Sequence, residues 1–310
     1  FLLNSKGERF MEKYAPNMME LASRDVVSRA EQTEINAGNG VDGCVFLDCR
    51  HLGEALIMEK LSQIREIGID LVGHDMIKEP IPIRPGMHYA MGGIRTNVDG
   101  ETNLEGVYAA GECACVSVHG GNRLGANSLL DTIVFGERSG NHAAETSRDA
   151  EFVEFNVEES VRNEEKRLQG FLDRPQNGDR IASVRLAMGE SMNRNLAVYR
   201  NEEGMKATLA ELKEIEKRYE TVPVDNKGKL FNTDLVFALE LGFMLDCATP
   251  IAMSALDRKD SRGAQARTDY PDRDDENWMK HLVIKKGAAG PELSYAPVSI
   301  TQWTPEERKY

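Results

Sequence analysis

The most regular pattern of apolar positions in this chain lies between residues 150 and 258. Apolar residues recur there every three or four positions in three successive stripes, and a broadly apolar run follows at residues 235–245. Stripes of this kind usually form the inner faces of helices packed into a bundle. The stripes consist of Val157, Val161, Leu168 and Phe171; Ile181, Val184, Met188, Met192 and Tyr199; and Met205, Leu209, Leu212, Ile215 and Tyr219. We therefore predict a helical domain over residues 150–258, without chemistry of its own.

Shorter elements alternate before residue 150, which is typical of mixed α and β structure. Strands are expected at residues 1–4, 44–48 and 106–110, and helices are expected to begin at Arg24, near Leu56 and at Ser128. Residues 80–85 contain three prolines and must be extended, because proline disfavours helical backbone in the residue before it. From residue 259 the chain is polar and irregular, apart from a strand-like run at residues 282–284.

Composition and charge narrow the classes of function. The chain has 310 residues, of which 41% are hydrophobic and 29% charged, as in ordinary globular proteins. Its net charge of −13 argues against binding to nucleic acid and against direct docking on an anionic membrane. No uninterrupted apolar stretch approaches the ~18 residues that a membrane-spanning helix requires. Any membrane attachment is therefore expected to come through partner subunits.

The five cysteines do not form a regular disulfide framework, so we expect reduced thiols in an intracellular protein. Cys113 and Cys115, followed by His119, supply three side chains of the kind that bind zinc. A structural zinc site usually has four such ligands, and the fourth is missing. We predict no metal site.

The richest stretch of the sequence runs from residue 111 to residue 131, between a predicted strand and a predicted helix. It reads Gly-Glu-Cys-Ala-Cys-Val-Ser-Val-His-Gly-Gly-Asn-Arg-Leu-Gly-Ala-Asn-Ser-Leu-Leu-Asp, with Glu112 and Arg123 among its glycines. Glycines let a backbone approach a ligand closely, and a helix N-terminus offers free N–H groups and positive potential. Such a loop is suited to holding an anionic or electron-rich edge of a cofactor.

Three further motifs accompany this loop. They are His88-Tyr89-Ala90-Met91-Gly92-Gly93-Ile94, Asp260-Ser261-Arg262-Gly263-Ala264 and Pro271-Asp272-Arg273-Asp274-Asp275-Glu276-Asn277-Trp278. Together, and in this order, the four motifs resemble the flavoprotein subunit of succinate dehydrogenase and fumarate reductase over nearly the whole chain. The resemblance implies an FAD enzyme that interconverts succinate and fumarate by hydride transfer with the flavin. Two positions depart from the family pattern, since Asp260 stands where Glu is usual and Gln265 where His is usual.

The resemblance also implies a fold of the α+β or α/β class, divided into four parts. Residues 1–86 would be the end of a capping domain, residues 87–149 the closing half of a split, Rossmann-like FAD-binding domain, residues 150–258 the helical domain and residues 259–310 a C-terminal tail segment. No strand–GxGxxG–helix unit for a dinucleotide pyrophosphate is present, and Gly38-Asn39-Gly40 has the wrong context. We therefore expect a C-terminal portion of a larger subunit, with any FAD-linked histidine outside this chain.

Residue roles follow from the match to the family motifs. The resemblance assigns binding of the substrate carboxylates to His88 and Arg123, and proton donation in fumarate reduction to Arg24. Arginine suits a carboxylate because its planar fork donates two parallel hydrogen bonds. An ion pair from Arg123 to Glu112 or Asp131 is the structural alternative. The residues expected to contact FAD are Glu112, Asn127, Ser128 and Leu129.

Arg24 is chemically the least ordinary of these assignments. A guanidinium hardly deprotonates in proteins, so Arg24 needs a carboxylate relay that restores its proton. Asp25 is adjacent, but one residue further along a helix it would point elsewhere.

The expected partners are an iron–sulfur subunit, which passes electrons towards a quinone, and membrane anchor subunits reached indirectly. The expected location is cytoplasmic and peripheral on the inner face of the cell membrane, or the matrix face of the mitochondrial membrane in a eukaryote. Two alternatives stay open. One is a soluble relative, such as an L-aspartate oxidase or a free fumarate reductase. The other is a non-catalytic fragment that only folds and binds partners.

Overall fold

The computed structural model describes residues 1–151 and 153–306. These residues form two compact units. The N-terminal unit comprises residues 1–88 together with residues 300–306, and the C-terminal unit comprises Tyr89–Ser299. Both units contain helices and strands, so the expected mixture of α and β structure is confirmed. The division into capping, FAD-binding, helical and tail segments stays a prediction.

A small antiparallel sheet underlies the N-terminal unit. Its strands are β1 (Leu2–Leu3), β2 (Val45–Leu47) and β3 (Ile81–Ile83), with β2 in the middle. The helices are α1 (Met11–Tyr14), α2 (Arg24–Asn36), α3 (Glu54–Lys60) and α4 (Ser62–Ile67). The proline-rich segment forms edge strand β3, where a missing N–H is tolerated. A buried cluster that includes Phe10, Met11 and Val27 packs against this sheet.

Three glycines of the N-terminal unit have the spacing of a dinucleotide-binding motif. Gly38, Gly40 and Gly43 connect helix α2 to strand β2. The motif requires the opposite order, a strand followed by a helix, because the helix N-terminus holds the pyrophosphate. This turn is therefore not a dinucleotide site.

The C-terminal unit begins with a two-stranded parallel sheet, β4 (Ile94–Arg95) and β5 (Ala114–Cys115), followed by the long helix α5 (Asn127–Arg148). The helix expected from Ser128 is confirmed. The strand expected at residues 106–110 is wrong: Tyr108 forms only an isolated bridge with Glu101. Gly106 adopts a φ of +75°, outside the extended range, so this apolar run starts in a turn.

Four helices form the predicted bundle: α6 (Val157–Leu172), α7 (Ile181–Leu196), α8 (Glu202–Glu220) and α9 (Thr233–Asp257). Helices α7, α8 and α9 pack on one another. Their common core contains Val184, Met188, Met205, Leu212, Ile215, Leu241, Leu245 and Ala252. The second and third apolar stripes therefore lie where a bundle places them, whereas Val157 and Val161 of the first stripe are exposed on α6.

By length and composition, α9 could cross a membrane, with a mean hydropathy of 1.6 over 18 residues. Glu240 and Asp246 interrupt the apolar run without ending the helix, which is why the sequence shows no uninterrupted apolar stretch of this length. One face of α9 packs against α7 and α8, with Leu241 and Leu245 buried. This packing is that of a bundle helix.

The C-terminal segment contains α10 (Asp275–Trp278) and an antiparallel hairpin of β6 (Lys280–Gly287) and β7 (Gly290–Pro297). The strand expected at residues 282–284 is confirmed as part of β6. Strand β7 was not predicted, because Pro291 and Pro297 at its ends and its mostly exposed side chains hide the strand pattern. The segment after residue 258 is therefore more regular than its polar sequence indicates.

Buried charges hold this segment to the bundle. The side chain of Arg267 is fully buried and donates hydrogen bonds to the carbonyls of Ala255, Leu256 and Arg258, at the end of α9. It also forms two parallel hydrogen bonds of 2.7 Å to Asp269. Runs of charged residues usually form solvated faces, but at Arg267 the network of charges lies inside the protein.

Candidate functional site

The glycine loop of residues 111–126 includes β5 and ends at the start of α5, within the C-terminal unit. Gly93, beside β4, lies so close to this loop that a Cβ there would be 2.5 Å from the carbonyl oxygen of Cys113. Ala126 adopts a φ of +64° directly before α5, and no side chain caps this helix. The loop therefore meets an uncapped helix N-terminus, as the sequence pattern indicates.

The C-terminal segment holds this loop from the other side. Ala264 donates its backbone N–H to the carbonyl of Gly121 at 2.8 Å. Gly263 has a φ of +57°, and a Cβ on it would lie 2.2 Å from that carbonyl oxygen, so only glycine fits. A hydrogen bond of 2.8 Å joins the Ser117 hydroxyl to Nε2 of His281 on β6. The motif of residues 260–264 thus supports the loop.

A buried polar cluster lies under the loop. Oδ2 of Asp131, in the second turn of α5, accepts a hydrogen bond from the Tyr89 hydroxyl at 2.9 Å. The same oxygen lies 3.1 Å from Nε2 of His119. The rings of Tyr89 and His119 meet edge to face, with centroids 5.4 Å apart. We refer to Tyr89, His119 and Asp131 as the buried triad.

Arg123 lies beside the buried triad. Its Cζ is 5.3 Å from the centroid of the Tyr89 ring, and one Nη donates to the carbonyl of Leu124 at 2.8 Å. Its backbone N–H is 3.1 Å from the sulfur of Met91. Among the described residues, no carboxylate forms an ion pair with Arg123, so the expected alternative of a bond to Glu112 or Asp131 is not seen. The buried Nε of Arg123 has no hydrogen-bond partner.

The residues expected to contact a cofactor lie around the same loop. Glu112 is exposed and accepts the backbone N–H of Ala90 at 2.9 Å. Asn127 and Ser128 are half-buried in the first turn of α5, and Leu129 is exposed there. The structure thus brings Glu112, Arg123 and the start of α5 together on one loop.

Arg24 and His88 belong to the N-terminal unit. His88 is exposed. Arg24 is the first residue of α2 and is also exposed, and one Nη donates to the carbonyls of Glu20 at 2.6 Å and Ala22 at 3.2 Å.

Two carboxyl groups share helix α2 with Arg24. Asp25 is hydrogen-bonded by Ser23 and accepts from Arg29 at 3.0 Å. Glu31 is buried, seven residues beyond Arg24 and therefore on the same face of the helix. Burial raises the pKa of Glu31 to about 7, against a smaller lowering by the charge of Arg24. Glu31 therefore titrates near neutral pH.

The two residues that depart from the family pattern both form hydrogen bonds within the C-terminal segment and to its neighbours. Asp260 is fully buried and binds Arg258 at 3.1 Å and Arg262 at 3.0 Å. Gln265 accepts from Arg200 and donates to the carbonyl of Ala255 at 3.1 Å. The shorter acid and the amide therefore still tie the segment together. Among the described residues, no group of three or more His, Cys, Asp or Glu side chains is placed to hold a metal ion.

Two family models match the chain. The one described as FAD binding domain matches residues 1–129, and the one described as Fumarate reductase flavoprotein C-term matches residues 185–310. The succinate dehydrogenase flavoprotein subunit of Rickettsia conorii is 44% identical over 99% of this chain and 54% of its own length. The chain belongs to the family of succinate dehydrogenase and fumarate reductase flavoprotein subunits.

Other members of this flavoprotein family are similar to the chain over nearly its whole length. The fumarate reductase flavoprotein subunit of Mycobacterium tuberculosis is 40% identical over 100% of this chain and 56% of its own length. The solved structure of FrdA from E. coli quinol fumarate reductase matches with a TM-score of 0.92 and 37% identity, over 99% of this chain and 56% of that one. The chain therefore spans about half the length of the relatives it matches.

The buried triad was not predicted as a unit. Tyr89 and His119 stand inside the motifs that carry the family resemblance, but no role was assigned to either. Asp131 was considered only as an ion-pair partner of Arg123. The signal available in the sequence was the concentration of polar side chains in two glycine-rich motifs. This signal does not show that Tyr89 and His119 both bind one oxygen atom of Asp131.

Proposed function

We propose that this chain forms part of an FAD-dependent oxidoreductase that interconverts succinate and fumarate by hydride transfer with the flavin. One observation carries the proposal. Arg123 lies in a glycine loop at a helix N-terminus, without a carboxylate partner among the described residues, and its buried Nε lacks a hydrogen bond. A buried guanidinium N–H is costly to leave unpaired, and a bound carboxylate would satisfy it with two parallel bonds.

The two substrate carboxylates need separate donors. Arg123 would bind one of them, and His88 would donate to a substrate carboxylate from its imidazole. Arg24 would supply the proton that fumarate takes up when it is reduced. These roles rest on the family motifs, and the unpaired state of Arg123 supports the first of them.

The residues around the loop fit FAD. Glu112 is exposed and already fixed by Ala90, so its carboxylate can accept hydrogen bonds from ribityl or ribose hydroxyls. The uncapped start of α5, at Asn127, Ser128 and Leu129, favours negative charge on a ring bound next to it. These residues would hold FAD, which would supply the hydride chemistry when bound. The protein groups bind, orient and exchange the proton.

The partners follow from the family. We infer that electrons pass to an iron–sulfur subunit and then to a quinone, and that membrane anchor subunits hold the assembly indirectly. The E. coli relative is a quinol fumarate reductase, which supports this assignment. The inferred place is the inner face of the cell membrane, or the matrix face of the mitochondrial membrane in a eukaryote.

A flavin titration tests what these 310 residues can do by themselves. The chain lacks a strand–GxGxxG–helix unit, so we expect weak quenching of FAD fluorescence and no succinate or fumarate turnover above a flavin-only blank. A complete flavoprotein subunit that contains these residues should bind FAD and turn over both substrates. Turnover by the isolated chain would contradict the expectation. A complete subunit that binds no FAD would contradict the proposed function.

Arg123→Ala should weaken binding of a dicarboxylate inhibitor such as malonate to the complete subunit. Loss of a charge-assisted fork costs about 3 kcal/mol, or about 100-fold in Kd. Calorimetric titration with FAD bound measures this effect. Arg138→Ala is the matched control, because Arg138 is an arginine of α5 that binds Val98 and Asp99 outside the loop. An unchanged Kd for Arg123→Ala would remove Arg123 from the substrate site.

A further inference from the structure

We propose that Tyr89 is a positioning residue for Arg123, and that Asp131 and His119 hold Tyr89 in the orientation that presents the guanidinium to a dicarboxylate. The proposal rests on the function proposed above. All four residues lie in the C-terminal unit. It assigns a role in substrate binding to three side chains that are not expected to touch the substrate.

The contacts form a continuous path. Asp131 receives the Tyr89 hydroxyl at 2.9 Å, and the Tyr89 ring lies 5.3 Å from the Arg123 guanidinium carbon. An aromatic ring within about 6 Å of a guanidinium attracts it and restricts its orientation. The carbonyl of Leu124 holds one Nη of the same group at 2.8 Å. Two contacts thus restrict the Arg123 side chain, and its buried Nε has no hydrogen-bond partner that would compete with a carboxylate.

The hydrogen bonds of the triad have defined directions. An ionised carboxylate only accepts, so Tyr89 donates its hydroxyl proton and His119 donates from Nε2 to the same oxygen of Asp131. Burial, followed by the hydrogen bond to Asp131, raises the pKa of Tyr89 to about 12. The hydroxyl therefore stays a donor throughout the physiological pH range, and the ring stays neutral beneath Arg123.

The burial of Asp131 and His119 explains how they can act on Arg123 through Tyr89 without contacting the ligand. The Asp131 and His119 side chains are only 4% and 8% exposed. The hydrogen bond to Asp131 fixes the position of the Tyr89 hydroxyl, and the edge-to-face contact with His119 restricts rotation of the ring about its axis. If the ring could rotate, the Arg123 side chain would populate several rotamers before the ligand binds. Restricting it to one rotamer on binding would cost conformational entropy and reduce the affinity.

The test uses a complete flavoprotein subunit with FAD bound, and the probe is malonate. Tyr89→Phe keeps the ring and removes the hydroxyl, so we expect the malonate Kd to rise about 3- to 10-fold. Tyr89→Leu also removes the ring, so a larger rise, about 10- to 100-fold, is expected. The KM for fumarate should rise in parallel while kcat stays within about twofold, because binding is lost equally in the ground and transition states.

A second tyrosine provides the control. Tyr108 forms a 3.0 Å hydrogen bond to Nδ1 of His142 in the same unit, away from Arg123. Tyr108→Phe removes a bond of similar kind and should leave the malonate Kd unchanged. Asp131→Asn keeps one acceptor oxygen, so its Kd should rise no more than that of Tyr89→Phe.

The outcomes separate this inference from the proposed function. If Tyr89→Phe and Tyr89→Leu lower the melting temperature but leave the malonate Kd and the KM unchanged, the triad is only structural and the inference is wrong. If Tyr89→Leu fails to fold, Tyr89→Phe alone decides. If the unmodified subunit binds no malonate and reduces no fumarate, both the proposed function and the inference are wrong.

Discussion

Replacing Arg267 with alanine is expected to lower the free energy of unfolding of the C-terminal unit by about 3–5 kcal/mol. The guanidinium is fully buried and binds three backbone carbonyls and one carboxylate. The carbonyls belong to the end of α9. The last carbonyls of a helix have no backbone N–H partner within the helix, so they need another donor. Alanine would leave these carbonyls and the Asp269 carboxylate without their donors.

Chemical denaturation followed by circular dichroism measures this loss. Arg273→Ala is the matched control, because Arg273 and Asp275 repeat the Arg-x-Asp spacing of Arg267 and Asp269. The Arg273–Asp275 pair is more exposed, so its removal should cost less than about 1 kcal/mol. A loss below about 1 kcal/mol for Arg267→Ala would contradict the expected role of burial.

The same pair makes stability depend on pH in a defined direction. The hydrogen bonds from Arg267 lower the pKa of Asp269 to about 2. Because this carboxyl has a lower pKa folded than unfolded, its contribution is present above about pH 4 and is lost as the pH falls towards 2. Arg267→Ala should therefore weaken the acid dependence of unfolding as well as the stability at neutral pH.

Arg267 also shows where sequence reasoning ends. Charged runs are usually solvated, and nothing in residues 259–278 distinguishes the buried arginine from its exposed neighbours. Helices α2, α5 and α7–α9 were predictable, because a repeated spacing reports one packed face over many residues. Strands of two or three residues are too short to show a repeated spacing, so the sequence does not predict them reliably. The apolar run at 106–110 has the composition of a strand but forms only one isolated bridge, whereas β7 pairs along its whole length and lacks the pattern.

The candidate site, like the fold, could be predicted only in part from the sequence. Glycine spacing and the helix start were visible in the sequence, because they are local and have a local physical cause. The buried triad joins residues 42 and 12 positions apart, and such distant contacts leave no periodic trace. Motif resemblance identified Arg123, but only the structure shows its unpaired Nε.

Arg24→Gln in a complete flavoprotein subunit is expected to reduce fumarate reduction by about 10²- to 10⁴-fold, the usual contribution of a positioned proton donor. FAD binding should be retained, because Arg24 donates to the carbonyls of Glu20 and Ala22 within its own unit. Flavin absorbance of the purified variant measures cofactor content, and a single-turnover assay measures the chemical step.

The choice of control matters, since any loss of positive charge on α2 could weaken binding of a dianion. Arg29→Gln removes a cation from the same helix, where Arg29 is paired with Asp25, and should change the rate no more than about twofold. Arg24→Lys keeps the charge and a transferable proton but not the planar fork, so partial activity is expected. If Arg24→Gln and Arg24→Lys lose activity equally, the geometry of the guanidinium is required in addition to its charge. If Arg24→Gln keeps its turnover, the proton reaches fumarate from another group, and Arg24 has no catalytic role.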